Sequence, residues 1–459
     1  MSVVSIHDSQ SRTTILARLA LPAILEQILL TLISYADTAM VGSLGSVATA
    51  AVGLIAPVTW LIGGALQGVG VGYSVLVAHA IGARDEARAR HIIVQSVLAI
   101  LVCGMGSFAL FLGLSPFIPR WLGAEPDVLP DAIAYLRIYS LSLLPNTCMC
   151  VMGPIIRCMG NAKLPLVFNT LANFLNIVLN FLLIYPTREI WGYPVWGAGM
   201  GVAGAAWGTT ISITLAGIAM LLIFFKRKDG FRLSLREDWR PDREIIRRAA
   251  QLGLPYTIER SAINLGMLVT TRIISGVGTI AVAANHIAVT AEGLCYLPAY
   301  GIGSAATTLV GQSVGAKDPE GADKYGKLAE IWGFVLCAIT GAALFTTAPW
   351  LASLFTKDPL VVAEATLALR IVAPIEPFFA SFIILSGALR GAGDTRVPMF
   401  LCLGSMWCVR ILFSFILVNG FGLGLAGAWA AMAADLLLRG TACIFRWRSG
   451  RWKKYALKE

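Results

Sequence analysis

Long apolar stretches separated by short polar loops make up most of this 459-residue chain. A helix needs about 20 such residues to cross roughly 30 Å of hydrocarbon. Twelve stretches meet this length, six in each half. They lie near 15–40, 48–78, 91–114, 132–155, 164–185, 200–225, 249–273, 281–310, 330–352, 361–386, 397–419 and 424–446. The pattern predicts an all-α integral membrane protein with twelve transmembrane helices.

The pattern of the first half returns in the second half at an offset of 233 positions, taken from the sequence numbering. The offset pairs Glu26 with Glu259 and Arg157 with Arg390. Only the segment 199–205 aligns at a different offset, of 223, with 422–428. Because this offset is ten smaller, the first half contains about ten extra residues, which we place in the loop 187–197. Because each half has an even number of spans, both halves start on the same side of the membrane. We therefore expect two six-helix lobes related by an axis along the membrane normal.

Composition and charge agree with a membrane protein. The chain is 57% apolar and 14% charged, with a mean hydropathy of +0.74 and a net charge of +10. The basic residues fall in alternate loops, as the positive-inside rule requires, so we expect no nucleic-acid partner. The bilayer is the expected partner, in the cell inner (cytoplasmic) membrane with both termini cytoplasmic. The polar start followed by a long apolar run predicts no cleaved signal peptide.

These signals divide the chain into five parts. We expect a cytoplasmic segment at 1–14, an N-terminal lobe at 15–225, a cytoplasmic linker at 226–248, a C-terminal lobe at 249–446 and a basic cytoplasmic tail at 447–459. The linker is interpreted as a simple connection. A short amphipathic helix at the membrane surface, built on Phe231, Leu233, Leu235 and Trp239, is the alternative.

Ionisable residues inside the spans are the candidates for function, because each costs about 2.5–3.5 kcal/mol to insert. Seven stand out, six acids and a single arginine. They are Glu26, Asp37, Glu259, Glu292, Glu376, Arg410 and Asp435. We expect Arg410 to form an ion pair with Asp435 or Glu376. Glu292 and Glu376, together with Glu26 and Tyr35, are candidates for the substrate cavity.

Asp37 is the sharpest candidate in the first lobe. Glu26 has a counterpart in the repeat, whereas Asp37 aligns with Thr270, so Asp37 breaks the symmetry. The two carboxylates are eleven residues apart and share one helix face. Alternatively, Asp37 caps the helix end or bonds to Tyr35 or Thr38, and Glu26 lies one turn into its helix, where the dipole favours it.

Two asparagines and nine cysteines are the other polar or reactive residues considered for function. Asn176 and Asn180 are four residues apart and therefore lie on one helix face, where they can donate hydrogen bonds or supply neutral oxygens. The cysteines form no CxxC pair, and we expect free thiols. The sequence contains no HExxH, phosphate-binding loop or serine triad. We therefore expect no enzyme activity, no metal cofactor and no other cofactor.

At this point the residues resemble the multidrug and toxic compound extrusion (MATE) family over nearly the whole chain. The resemblance rests on the segments 35–42 (YADTAMVG), 175–180 (LNIVLN) and 387–398 (GALRGAGDTRVP), and on Gly82-Ala83. It implies a V-shaped pair of bundles that exports small organic cations or amphiphilic compounds by H+ or Na+ antiport through alternating access. A monomer is expected.

The resemblance also suggests roles for matching positions. Asp37 looks like the ion-binding carboxylate of the first lobe, and Glu259 looks like that of the second, so Na+ at either is possible. Some proton-coupled members carry an aspartate where this chain has Asn180. Some sodium-coupled members carry one near Phe379, where Glu376, one turn earlier, could substitute. The coupling ion stays open between H+ and Na+. The rival function is a flippase for a lipid-linked precursor of the same superfamily, which would line its cavity with several arginines.

Overall fold

In the computed structural model, the N-terminal half is a bundle of long helices. The structure describes Ile6, residues 10–190, 193–226, 231–234 and 236–456. The helices of this half are α1 (Arg12–Gly42), α2 (Ser46–Gly82), α3 (Glu86–Leu114), α4 (Ile118–Trp121), α5 (Leu129–Leu141), α6 (Leu143–Cys158), α7 (Lys163–Ile184) and α8 (Gly201–Lys226). Between α7 and α8 the strands β1 (Pro186–Ile190) and β2 (Tyr193–Ala198) pair antiparallel. This hairpin occupies the ten-residue excess of the first half.

The C-terminal half repeats the bundle. Its helices are α9 (Arg243–Ser275), α10 (Thr279–Gly315), α11 (Pro319–Phe355), α12 (Pro359–Val372), α13 (Glu376–Gly391), α14 (Arg396–Gly404), α15 (Leu412–Phe415), α16 (Gly424–Arg448) and α17 (Lys453–Ala456). A 3₁₀ turn (Ala373–Ile375) joins α12 to α13 into one span. Two π-helical segments, Ser405–Ile411 and Ile416–Gly420, flank α15 and complete another span.

These helices account for the twelve predicted spans. Among the described residues, ten spans are long and apolar enough to cross a membrane, and α5 with α6 adds an eleventh that bends by 51°. The twelfth is α9, which at 33 residues is long enough but carries Glu259, Arg260 and Arg272. The predicted all-α membrane fold in two six-helix lobes is confirmed.

The repeat is visible where α2 passes into α3 and α10 into α11. Arg84 and its counterpart Lys317 both have φ of 57°, a left-handed conformation that ends the first helix of each pair. The next residue then caps the following helix: Asp85 accepts from Arg88 N at 2.9 Å, and Asp318 accepts from Gly321 N at 2.8 Å. Such caps satisfy amides that the first helical turn leaves unpaired.

The two lobes meet in a seam between α1 and α10 and between α2 and α9. A Cβ on Gly82 would overlap the Gln312 carbonyl oxygen, and one on Gly315 would overlap that of His79. The positions 82 and 315 differ by 233, and so do 79 and 312. Only glycine permits such close approach of two backbones. The seam is therefore two-fold symmetric, as parallel repeats predict.

Hydrogen bonds across the seam follow the same symmetry. His79 Nε2 lies 2.7 Å from the Gly391 carbonyl oxygen, and Gln312 Nε2 donates to the Cys158 carbonyl at 2.9 Å. Both carbonyls lie at the ends of the helices that precede the 160–165 and 393–398 segments. These hydrogen bonds therefore connect the C-terminal ends of α6 and α13 each to the opposite lobe.

The segment between the lobes packs on the first lobe. Leu233 is buried in the core of that lobe, with Phe231 and Trp239 against it. Over the described part of the segment, 231–234 and 236–242, no helix forms, so the amphipathic surface helix is absent there. Leu235 lies outside the described residues. The chain becomes helical again at Arg243, inside the predicted linker.

Candidate ion-binding and substrate sites

The N-terminal lobe gathers its polar side chains between α1 and α7. Asp37 on α1 accepts a hydrogen bond from Asn180 Nδ2 at 2.8 Å to Oδ1. Glu26 accepts from Asn169 Nδ2 at 2.5 Å. Both contacts join residues that are 143 positions apart, so α1 and α7 run parallel in register. The prediction that Glu26 and Asp37 share one helix face is confirmed.

Asn176 completes the surroundings of Asp37. With its amide nitrogen toward the carboxylate, it donates to Asp37 Oδ1 at 2.7 Å and to Oδ2 at 2.9 Å. Its oxygen then accepts from Thr209 N and Thr209 Oγ1, both at 3.1 Å. The opposite orientation would set an amide oxygen against a carboxylate, which is repulsive. Asp37 therefore lies between two amide donors, and the described residues supply no salt bridge to it.

One oxygen at this site has no partner. Asn180 Oδ1 is buried and accepts no hydrogen bond from the described residues. It fits against Gly208 on α8, where a Cβ would overlap it. A buried carbonyl oxygen without a partner costs about 1–3 kcal/mol. It is therefore available to a proton donor or to a cation with oxygen ligands.

Glu26 and Glu259 form matching salt bridges. Arg157 Nη1 donates to both Glu26 oxygens at 2.9 and 2.8 Å. Arg390 Nη1 donates to both Glu259 oxygens at the longer distances of 3.4 and 3.3 Å. The offset of 233 relates all four residues. The repeat paired these positions, but sequence alone did not indicate that each carboxylate binds the arginine of its own lobe.

The position expected for Glu26 was wrong. The helix begins at Arg12, so Glu26 lies four turns inside it, about 21 Å from the start. Its side chain is buried and bound to Arg157. The dipole of the first turn, which acts only over that turn, does not explain its placement.

The second lobe holds a larger charged network. Arg410 Nε pairs with Asp435 Oδ2 at 2.9 Å, which confirms Asp435 as its partner. The same carboxylate oxygen also binds Arg439, one turn later on α16. All three side chains are buried. Arg410 lies in the π-helical segment Ser405–Ile411, a local geometry that often occurs at functional sites.

A cavity of about 130 Å³ opens onto this network. Its charged lining consists of Glu259, Arg260, Glu292, Arg390, Arg410 and Arg439. The expectation that the spans supply mainly carboxylates and one arginine was therefore wrong. Arg260 directly follows Glu259, and Arg439 lies four residues after Asp435, each within an apolar span. These arginines could therefore have been recognised from the sequence.

Glu292 lines this cavity, whereas Glu376 is buried outside its lining. Glu376 is fully buried, and neither of its carboxylate oxygens has a hydrogen-bond partner among the described residues. Glu292 lies close enough to Glu376 and to the Arg410 guanidinium for their charges to affect one another. Two adjoining buried carboxyl groups avoid repulsion when they hold one proton between them.

The other substrate-cavity candidates lie elsewhere. Tyr35 is exposed, and its hydroxyl donates to the Thr290 carbonyl across the lobes at 3.5 Å. Glu26 is held inside the first lobe by Arg157. The functional roles expected of these residues, of Asp37 and of Glu259 stay predictions.

The segment 387–398 ties three helices together. Arg390 reaches Glu259 on α9, and Asp394 accepts from Arg446 Nε and Nη2 on α16 at 3.0 and 2.7 Å. The Gly391 carbonyl accepts from His79. This motif therefore fixes the end of α13 against its own lobe and against the other lobe.

Two symmetric bundles with charged residues gathered inside each lobe define a membrane transporter. The sequence profile of the MatE family matches residues 22–182 and 255–416, one copy in each half, and the two copies start 233 positions apart. This chain belongs to the MATE family, whose members are transporters and not enzymes. It is a multi-pass membrane protein.

Individual relatives agree over almost the full length. The chain is 31% identical over 447 residues to a "Probable multidrug resistance protein NorM" of Thermotoga maritima, covering 96% of this chain and 93% of the relative. A crystal structure of MATE in complex with MaL6 superposes with a TM-score of 0.90 at 25% identity, over 97% of each chain. A MOP superfamily transporter from Pyrococcus furiosus, described by the reverse polarity of its binding pocket, superposes with a TM-score of 0.88, also at 25% identity and over 97% of each chain.

Proposed function

We propose that this protein is a secondary active multidrug exporter of the cell inner membrane, which exports organic cations or amphiphilic compounds by H+ or Na+ antiport. Asp37, held between two amides, carries this proposal. A carboxylate at such a place changes its net charge by one unit when it takes up a proton or a sodium ion. The relatives named multidrug resistance protein NorM support the substrate class.

The amides allow Asp37 to exist both as a free carboxylate and in a protonated or sodium-bound form. An asparagine amide donates through its nitrogen and accepts through its oxygen. With the nitrogens of Asn176 and Asn180 toward it, Asp37 is stabilised as a carboxylate. Rotation of either amide presents an oxygen, which accepts from a protonated Asp37 or serves as a sodium ligand. In Asn180 this oxygen is Oδ1, which has no hydrogen-bond partner among the described residues.

The seam supports alternating access. Under the predicted topology, the glycine contacts of Gly82 and Gly315 lie at the cytoplasmic side. The conformation described is then closed to the cytoplasm. The opposite conformation would be open to the cytoplasm. An ion at Asp37 shifts the balance between these two conformations only if it binds one of them more tightly than the other.

Transport by purified protein in proteoliposomes tests the proposal. Imposed sodium or proton gradients should drive a panel of cationic dyes against their own gradients, and only one ion should be effective. Transport that continues without either gradient would contradict secondary coupling.

Cysteine labelling tests the topology. In a cysteine-free background, a reagent that does not cross the membrane should label Glu189→Cys, which lies on the exposed hairpin, in intact cells. Ser234→Cys, in the segment between the lobes, should react only after permeabilisation. Labelling of Ser234→Cys in intact cells would reverse the proposed orientation.

A further inference from the structure

An open groove lies on the outer surface of the second lobe, between α11, α13 and α16. We call it the α11–α16 groove. Its volume is about 420 Å³, within the range of about 300–1,000 Å³ that is typical of small-molecule sites. It shares no lining residue with the charged cavity beside Arg410, which we call the C-lobe cavity. The groove is therefore a separate place at which this lobe can hold a molecule.

Most of the groove wall is apolar. The apolar lining residues are Ile331, Phe334, Val335, Phe378, Ile444 and Phe445. Three of them, Ile331, Val335 and Phe445, are exposed on the outer face of the lobe. Because α11 and α16 cross the membrane, apolar side chains on this face contact acyl chains and not water. The wall therefore fits a hydrocarbon chain.

One end of the groove carries two charges that the protein itself does not pair. Glu330 is buried, with 8% of its surface exposed, and its carboxylate forms no hydrogen bond or salt bridge with the described residues. Arg448, the last residue of α16, lies close enough for its charge to affect Glu330 but forms no salt bridge with it. A buried carboxylate without a partner is costly. This end of the groove therefore offers an acceptor for a cation and, next to it, a donor for an anion.

The charged end lies at the depth of the lipid head groups. Under the predicted topology, α11 begins and α16 ends at the cytoplasmic side. Glu330 follows Pro319, the first residue of α11, by eleven positions, or about 16 Å along the helix. The 37 residues of α11 span about 55 Å and exceed the hydrocarbon core, which is roughly 30 Å thick. Glu330 is therefore near the boundary between the cytoplasmic head groups and the hydrocarbon, and Phe334 lies deeper.

The first lobe differs at the equivalent place. The offset of 233 aligns Glu330 with Val97, and the offset of 223 aligns Arg448 with Phe225, so both charges are missing there. Val97 and Phe225 pack in the same apolar cluster as Leu233, which belongs to the segment between the lobes. The first lobe thus covers this region with its own chain. Over the described residues, the second lobe leaves the region open and places two charges at its end.

We propose that the α11–α16 groove binds a phospholipid with an ethanolamine head group from the cytoplasmic leaflet. Glu330 accepts hydrogen bonds from the ammonium group, Arg448 binds the phosphate, and one acyl chain lies along Phe334 and Phe378. A choline head group has the same charges but no N–H to donate to Glu330, and an anionic lipid would leave Glu330 without a partner. Charge complementarity therefore selects an aminophospholipid. This inference does not depend on which compounds the protein exports.

Lipid titrations followed by native mass spectrometry test the proposal on the purified full chain in detergent. The probes are dioleoyl lipids that differ only in the head group: phosphatidylethanolamine, its N,N-dimethyl derivative, phosphatidylcholine and phosphatidylglycerol. We expect the wild-type protein to bind phosphatidylethanolamine about tenfold more tightly than phosphatidylcholine, because charge-assisted hydrogen bonds to Glu330 form only with the ethanolamine lipid. The dimethyl lipid keeps one N–H, and its affinity should lie between the two.

The variants locate the two contacts. Glu330→Gln should lower the affinity for phosphatidylethanolamine to that for phosphatidylcholine, about tenfold. It should leave the affinity for phosphatidylcholine nearly unchanged, which also shows that the variant is folded. Arg448→Gln removes the phosphate contact, so it should weaken the binding of both lipids equally and keep the preference. Glu320→Gln replaces an exposed acid on the same helix outside the groove and should change neither affinity.

Several results would overturn the proposed lipid site. Equal wild-type affinities for phosphatidylethanolamine and phosphatidylcholine would do so, as would a preference that survives in Glu330→Gln. Tighter binding of phosphatidylglycerol than of phosphatidylethanolamine would assign the groove to anionic lipids. Loss of cationic-dye binding in Glu330→Gln, with the lipid preference intact, would assign it to an exported amphiphile. If Glu330→Gln does not fold, the wild-type series of lipids and Arg448→Gln decide.

Discussion

The two lobes share a backbone plan but differ in what they hold at their centres. The first lobe has one carboxylate, Asp37, surrounded by neutral amides. The second has Asp435 between two arginines and a neighbouring cavity with Arg260. Both retain the glutamate–arginine pair, in which Glu26 matches Glu259. The shared pair is expected to support the common scaffold, with Glu259 also the predicted ion-binding carboxylate of the second lobe. Further ion and substrate chemistry is expected where the lobes have diverged.

Asp37→Asn should produce the largest loss, because it removes the half-buried first-lobe carboxylate that has no arginine partner among the described residues. An amide keeps the size and much of the hydrogen bonding but cannot change its charge. We expect gradient-driven dye export in proteoliposomes to fall to background while size-exclusion profiles stay unchanged. Asp127→Asn, an exposed acid in the loop before α5, is the control. Wild-type export rates in Asp37→Asn would make this residue structural.

Asp435→Asn should be the most destabilising change in the second lobe. It leaves Arg410 and Arg439 buried without a carboxylate, at a cost of about 3–5 kcal/mol. A thermal unfolding curve of the detergent-solubilised protein measures this effect. The offset of 223 that aligns the glycine-rich segments places Ser212 at the same position in the first lobe. Ser212→Ala should shift the curve far less, and equal shifts would contradict the difference between the lobes.

Gly208→Ala tests the fit of the first-lobe site without altering any charge. The added methyl group would overlap Asn180 Oδ1 and push that amide from Asp37. A displacement near 1 Å at a reacting group costs up to about 100-fold, and we expect roughly a tenfold loss of coupled export. In the second lobe the aligned residue is already Ala431. Unchanged coupling in Gly208→Ala would show that Asn180 is not part of the ion site.

Glu26→Gln and Glu259→Gln compare what the glutamate of each shared glutamate–arginine pair contributes to stability and to export. Glu26 makes the shorter contacts with its arginine and also binds Asn169, so its loss should cost more stability, by about 1 kcal/mol. Glu259 lines the C-lobe cavity, and its loss should impair export more. Parallel unfolding and transport assays should therefore rank the two variants in opposite orders. The same order in both assays would remove the distinction.

Much of this arrangement could be predicted from hydropathy and the repeat. Span number and parallel symmetry follow from run lengths and the constant offset, and Asn176 with Asn180 follows from helical spacing. The partner of Arg157 could not be predicted, because it depends on how α6 packs on α1. Arg260 shows a different failure. It is visible as a charge in the α9 span, but only the fold shows that its Nε donates to the Tyr256 hydroxyl and that it forms no salt bridge with the described residues.

The seam has the form of an isologous contact, in which residue i of one unit touches residue j of the other and j touches i. Gly82 meets Gln312 just as Gly315 meets His79, although all four residues belong to one chain. In a dimer of identical six-helix units, any substitution would have appeared at both contacts at once. In a single chain the two contacts can differ, and His79 stands where the equivalent position in the other half is Gln312. A Cβ at Gly82 and a Cβ at Gly315 would overlap the facing carbonyl oxygens to the same extent. The single variants Gly82→Ala and Gly315→Ala should therefore reduce export equally. A clear inequality would show that the two halves of the seam have different functions.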